Sequence, residues 1–204
     1  MKKLFVLSLV LVFAFSAMVS AAPEKDLMYY IEGKHFDWVD DKDAIITTNV
    51  SSLLWGDLNV HYEMKQGKEN GLAFNGSLSW WGSPGWSGIG LSVGAEYNWY
   101  FQKHALNGWY AGPRADVGFN MYNYEGTYFN YDTWEYYTET ETSTSIFVAV
   151  GGHGGYRWIW ENGLTVDIRL GPLFYIGGGA TINSISADYS VVGLNAGTSI
   201  GYAF

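Results

Sequence analysis

Apolar and polar residues alternate along much of this chain, and turn-forming residues close each alternating run. The run Leu164-Thr165-Val166-Asp167-Ile168-Arg169-Leu170 is the clearest, with apolar residues at even positions and polar or charged ones at odd positions. Successive side chains of a strand point to opposite faces, so this segment has one greasy face and one that carries Asp167 and Arg169. From Ile89 to Gln102 the apolar set is Ile89, Leu91, Val93, Ala95, Tyr97, Trp99 and Phe101, opposite Gly90, Ser92, Gly94, Glu96, Asn98 and Tyr100. After Trp109, Ala111, Ala115, Val117 and Phe119 oppose Tyr110, Arg114, Asp116 and Asn120. The last segment sets Val192, Leu194, Ala196, Ile200, Tyr202 and Phe204 against Gly193, Asn195, Gly197, Ser199 and Gly201. Eight strands are predicted, at 44–54, 56–66, 71–82, 87–102, 108–124, 143–160, 163–178 and 187–204.

The pattern alone leaves open which face is interior, and composition decides. Charged residues make up 15% of the chain and aromatics 18%, with 26 glycines, whereas a water-soluble domain carries about 25% charged residues. The polar set is mostly Gly, Ser and Asn, which suits a narrow side-chain-filled interior better than a water-facing surface. The expected fold is therefore all-β: an eight-stranded antiparallel transmembrane up-and-down β-barrel spanning 44–204. Trp99, Phe101, Trp109, Trp158, Trp160, Tyr202 and Phe204 are placed at one interfacial rim, and Trp55, Trp80, Trp86 and Phe174 near the other. Loop lengths agree. The connections 66–70, 103–107 and 161–162 read as compact polar turns on one side, and the longest, 125–142, falls on the side where an extracellular loop belongs.

Residues 1–21 read as an export signal: Lys2 and Lys3, an apolar run from Leu4 to Phe15, then small residues before a cut after Ala21. No later stretch approaches the ~20 apolar residues of a membrane helix. Residues 22–43 are acidic and aromatic, and a periplasmic arm and a short extra strand are both compatible with them. The expected location is the bacterial outer membrane, with membrane lipid as a partner. A net charge of −9 argues against nucleic acid, and the lack of cysteine removes disulfide and thiolate chemistry.

Phe204, with Tyr202 two positions before it, resembles the carboxy-terminal signal read by the barrel-assembly machinery. Three stretches also resemble a family of small outer-membrane barrels of unknown function. These are Leu53-Leu54-Trp55-Gly56-Asp57-Leu58-Asn59-Val60-His61-Tyr62-Glu63, Gly108-Trp109-Tyr110-Ala111-Gly112-Pro113, and Gly155-Tyr156-Arg157-Trp158-Ile159-Trp160-Glu161-Asn162-Gly163-Leu164-Thr165-Val166-Asp167. The resemblance implies fold and location and brings no catalytic residues. Arg157 departs from it, standing where a neutral polar residue is usual.

The chemistry-bearing residues fall on the predicted interior: His61, Glu63, Glu96, Arg114, Asp116, His153, Arg157, Asp167 and Arg169. Charges in a narrow interior must be paired to offset desolvation, so a structural salt-bridge network is expected. A narrow ion pathway and a lipid-modifying acyl hydrolase or transferase are the rival readings. The second needs a serine beside His61 or His153, with Ser77 or Ser79 conceivable for His61. No cofactor or metal is expected, because His61 and Glu63 alone do not make a metal site. The loop 125–142 carries Tyr128, Phe129, Tyr131, Trp134, Tyr136 and Tyr137 among five acids and no Lys or Arg. It is the expected contact surface for an extracellular protein or glycan, whether as a free loop or as a hairpin that continues the strands on either side of it.

Overall fold

A computed structural model describes residues 37–102, 104–181, 184–185 and 189–204. The predicted export signal and residues 22–36 lie outside the described residues. The elements are a helical turn α1 (Asp37–Asp40), β1 (Ala44–Asn49), a second turn α2 (Val50–Leu53), β2 (Asp57–Lys65), β3 (Asn70–Ser83), β4 (Trp86–Tyr100), β5 (Gly108–Asn130), β6 (Glu135–Ile159), β7 (Leu164–Thr181), a two-residue β8 (Ser184–Ile185) and β9 (Tyr189–Ala203). The chain is all-β with almost no helix. Eight strands, β1 to β7 and β9, pair antiparallel in one ring-like sheet, each with its neighbour in sequence, while β8 pairs only with the end of β7. The ring joins where β1 meets β9, in the register Ile45 to Ala203 and Asn49 to Ser199. Backbone bonds from Asp43 N and Ala44 N to Phe204 O, at 2.9 and 3.0 Å, seal that seam.

Two predicted boundaries are corrected. The first strand ends at Asn49 instead of running to residue 54. The Asn49 side chain accepts hydrogen bonds from Ser51 N at 3.0 Å and Ser52 N at 3.1 Å, and so caps the turn of α2 in place of a sheet ladder. The strands predicted to stop at 124 and resume at 143 instead run on as the hairpin weighed for 125–142, with Glu125 opposite Thr140, Tyr128 opposite Tyr137 and Asn130 opposite Glu135. Only residues 131–134 turn, and Trp134 there has φ 58°. Since β4 begins at Trp86 opposite Tyr124, six residues of the β5 arm extend past β4, about 20 Å at the strand rise, and ten of the β6 arm, 135–144, precede its pairing with β7 at Ser145.

The turn before β5 is also different from its predicted polar character. Ala105, Leu106 and Asn107 are buried. Leu106 is held at φ 77°, a conformation costly for a residue with a Cβ, and its side chain packs with Val39, Ile45, Tyr100, Tyr110, Ile159 and Ala203. Val39 belongs to α1, so residues 37–43 neither extend the sheet nor hang free. Lys65 Nζ donates to Asp40 O at 2.8 Å and Lys65 N to Asp43 O at 2.8 Å, which holds the segment across this end of the ring. An apolar plug closes the interior there.

The candidate functional site: a charged interior below a polar cavity

Above the plug, the inward positions of β2, β4, β5, β6 and β7 bring all nine predicted interior residues into one connected network. It begins at Glu63, whose Oε2 accepts from Arg157 Nη1 at 2.6 Å. Arg157 Nε reaches Asp167 Oδ2 at 2.8 Å, and Asp167 Oδ1 accepts from Arg169 Nε at 3.2 Å. Arg169 Nη1 donates to Glu96 Oε2 at 3.3 Å, Arg114 Nη1 meets Glu96 Oε1 at 3.2 Å, and Arg114 Nε ends the chain on Asp116 Oδ2 at 2.7 Å. Acid and guanidinium alternate from end to end. Every arginine bridges two carboxylates, which is how three cations satisfy four acids whose residues are all buried. His61 and His153 both turn Nε2 toward Glu96, at 3.1 and 3.4 Å.

Two of these contacts are direct consequences of strand register, for Glu96 faces Arg114 across β4–β5 and Arg157 faces Asp167 across β6–β7. Arg114 with Asp116 and Arg169 with Asp167 are neighbours two apart on one strand, while Glu63 to Arg157 and Arg169 to Glu96 join strands that are not paired with each other. Glycine on the inner face makes the room. A Cβ on Gly71 would stand 2.0 Å from Glu63 Oε1, and one on Gly94 1.9 Å from Asp116 Oδ1. The glycine-rich polar face of the sequence is thus the space into which the long charged side chains fold.

Four further residues complete the network and were not singled out from the sequence as site residues. Tyr100 Oη accepts from Arg157 Nη1 at 2.6 Å and donates to Glu63 Oε1 at 2.7 Å. Tyr110 Oη donates to Asp167 at 2.9 Å, and its ring lies 5.1 Å from the Arg157 guanidinium carbon. Asn98 Oδ1 meets His153 Nε2 at 2.7 Å, and Asn75 Nδ2 donates to Glu96 Oε1 at 3.4 Å. Tyr100, Asn98 and Tyr110 stand on the polar side of the alternation, which was the available signal.

Among the described residues neither His61 nor His153 hydrogen-bonds a serine, and the Nδ1 of each ring has no partner there. Ser77 Oγ instead pairs with Ser92 Oγ at 2.7 Å. The nucleophile–base pairing that acyl transfer requires is therefore missing at both rings. Beyond the network, away from the plug, the interior widens into a half-open cavity of about 370 Å³. Arg114, Asp116 and Arg169 form its floor, and Asn59, Ser77, Ser79 and Asn195 stand among its walls.

The predicted surface residues sit on the protruding hairpin. Phe129 gathers Tyr131, Trp134 and Tyr136, with ring centroids 5.1, 6.0 and 5.0 Å from its own. Tyr128 stacks on Tyr137 at 5.7 Å and donates its hydroxyl to Glu141 Oε1 at 2.6 Å. Tyr202 and Phe204 both point outward and are about half exposed. No protein-family model, no curated protein and no solved structure matches this chain, so its function has to be argued from this geometry.

Proposed function

We propose that the chain is a bacterial outer-membrane protein, an eight-stranded transmembrane β-barrel with a structural or surface-contact role and no catalytic one. The observation that carries the reading is the inverted distribution of polarity. Val93, Leu170 and Leu194 are 56%, 54% and 71% exposed on the outer face, while Glu63, Arg157 and Asp167 are fully buried inside. Soluble monomers rarely expose contiguous apolar patches beyond a few hundred Å². A bilayer accepts such a surface, provided that every backbone group is satisfied within a sheet that has no free edge. Exposed Trp99, Phe101, Trp109, Tyr202 and Phe204 near one end, and Trp55 and Trp80 near the other, suit the aromatic belts at the two membrane interfaces.

On this reading the plugged end faces the periplasm and the hairpin of β5 and β6 stands outside the cell. Tyr131, Trp134 and Tyr136 at its tip are each more than three-quarters exposed, which makes it the contact surface for an extracellular protein or glycan. A conducting pore is disfavoured by the filled bore and the apolar plug, and a lipid-modifying enzyme by histidines that lack a serine. The barrel-assembly machinery would read Tyr202 and Phe204 at the outward seam. The test is solubility: the purified chain should hold its fold only in detergent or lipid, and should migrate differently on a gel before and after heating. A folded, monodisperse protein in plain buffer would overturn the location and everything built on it.

A further inference from the structure

The cavity above the charged network has two unlike sides. Phe147 and Tyr175, from adjacent strands β6 and β7, form an aromatic wall with ring centroids 5.9 Å apart. Across from it stand the amides and hydroxyls of Asn59, Ser77 and Ser79. The charged groups of the floor are already matched within the protein: Arg114 to Glu96 and Asp116, Arg169 to Glu96 and Asp167. An anionic ligand would therefore find no unmatched cation, while Asp57, a lining carboxylate without an ion pair among the described residues, keeps its Oδ1 as an unpartnered acceptor for a hydroxyl donor. What the walls offer is donors and acceptors together, beside one apolar face. Just beneath the floor lie an unpartnered donor, Arg169 Nη2, and an unpartnered acceptor, Asp116 Oδ1.

We infer that this cavity is a binding site for a small neutral carbohydrate, a single hexose or N-acetylhexosamine unit. A sugar hydroxyl both donates and accepts, as the amide and hydroxyl walls require, and one face of a pyranose ring is a patch of C–H bonds that can lie against Phe147 and Tyr175. The volume of about 370 Å³ falls at the small end of the roughly 300–1,000 Å³ typical of small-molecule pockets. The site does not depend on the hairpin as a contact surface, and the two can fail separately.

The test uses the full-length protein folded in an amine-oxide detergent, which carries no sugar headgroup. D-glucose, D-galactose and N-acetyl-D-glucosamine are titrated while the ring resonances of Phe147 and Tyr175 and the side-chain amide of Asn195 are followed by NMR. At least one sugar should shift these signals with a dissociation constant on the order of 1 mM, as expected for so small a ligand. Ser79→Phe, which fills the cavity from its wall without touching the charged network, should abolish the shifts. Asn195→Ala should weaken binding by about tenfold, the effect of one lost hydrogen bond, and serves as the second variant if the first fails to fold. Three results overturn the inference: no shift with any sugar, shifts with inorganic phosphate, acetate or tetramethylammonium in place of sugar, or sugar shifts that survive in a folded Ser79→Phe protein.

Discussion

Replacing Arg157 by Met probes the interior most sharply. Arg157 is fully buried and donates to Glu63, Asp167 and Tyr100 at 2.6, 2.8 and 2.6 Å. Met has similar bulk and no donor, so the loss is electrostatic. The two carboxylates do not suffer equally. Asp167 keeps Arg169 at 3.2 Å and the Tyr110 hydroxyl at 2.9 Å, whereas Glu63 loses its one ion pair among the described residues and is left with uncharged donors such as the Tyr100 hydroxyl at 2.7 Å. Glu63 becomes a buried, nearly uncompensated carboxylate, and removing one partner of a buried pair costs about 3–5 kcal/mol. With a urea dependence of about 1–3 kcal/mol per molar, the unfolding midpoint in lipid vesicles should fall by about 2 M. Tryptophan fluorescence can report it, since the chain holds ten tryptophans. Neutralising the stranded partner is the control: Arg157→Met with Glu63→Gln should recover most of the loss, because removing both members of a buried pair is far cheaper than removing one. A single variant within about 1 kcal/mol of the parent, or a double variant no better than the single, would refute the alternating-charge account.

The hairpin carries two further expectations. Deleting residues 128–137 should abolish surface binding in a whole-cell or vesicle pull-down while leaving heat-modifiable mobility intact, because this stretch pairs only within itself; binding that persists would reject the hairpin as the contact surface. The Tyr128 phenol, donating to Glu141 and surrounded by acid, has its pKa pushed up to about 12 from the ordinary 10. A raised value means that the contact stabilises the neutral phenol. It is fully present below about pH 10 and lost as pH rises toward 12. Following the isotope-labelled Tyr Cζ resonance should show the high midpoint in the parent and a return toward the ordinary value in Glu141→Gln; equal midpoints in the two proteins would remove this hydrogen bond from the account.

The alternation of side chains by itself determines the number of strands, their approximate positions and the nine inward-facing residues. It could do so because side-chain direction in a strand is a local property with a period of two. Glu96 opposite Arg114, and Arg157 opposite Asp167, were accessible to the same reasoning, since hairpin register brings neighbouring strands together. Composition told the inner face from the outer through the Gly, Ser and Asn set. The Tyr100, Tyr110 and Asn98 partners lay on the predicted inner face, but alternation cannot tell a side chain that merely fills space from one that bonds across the bore.

Three things required the tertiary structure. Glu63 meets Arg157 across 94 residues of sequence, a contact that exists only once the ring joins at β1 and β9. Asn49 ended its strand early because its side chain could satisfy two nearby backbone amides, a competition between local and sheet hydrogen bonds that alternation does not register. The plug set Val39 of an acidic segment against Leu106 of a seemingly polar turn; each belongs to a short apolar pair, Trp38-Val39 and Ala105-Leu106, with no periodicity around it. Periodic burial writes itself into sequence, whereas burial made by two distant segments folding over the same opening leaves no pattern in either.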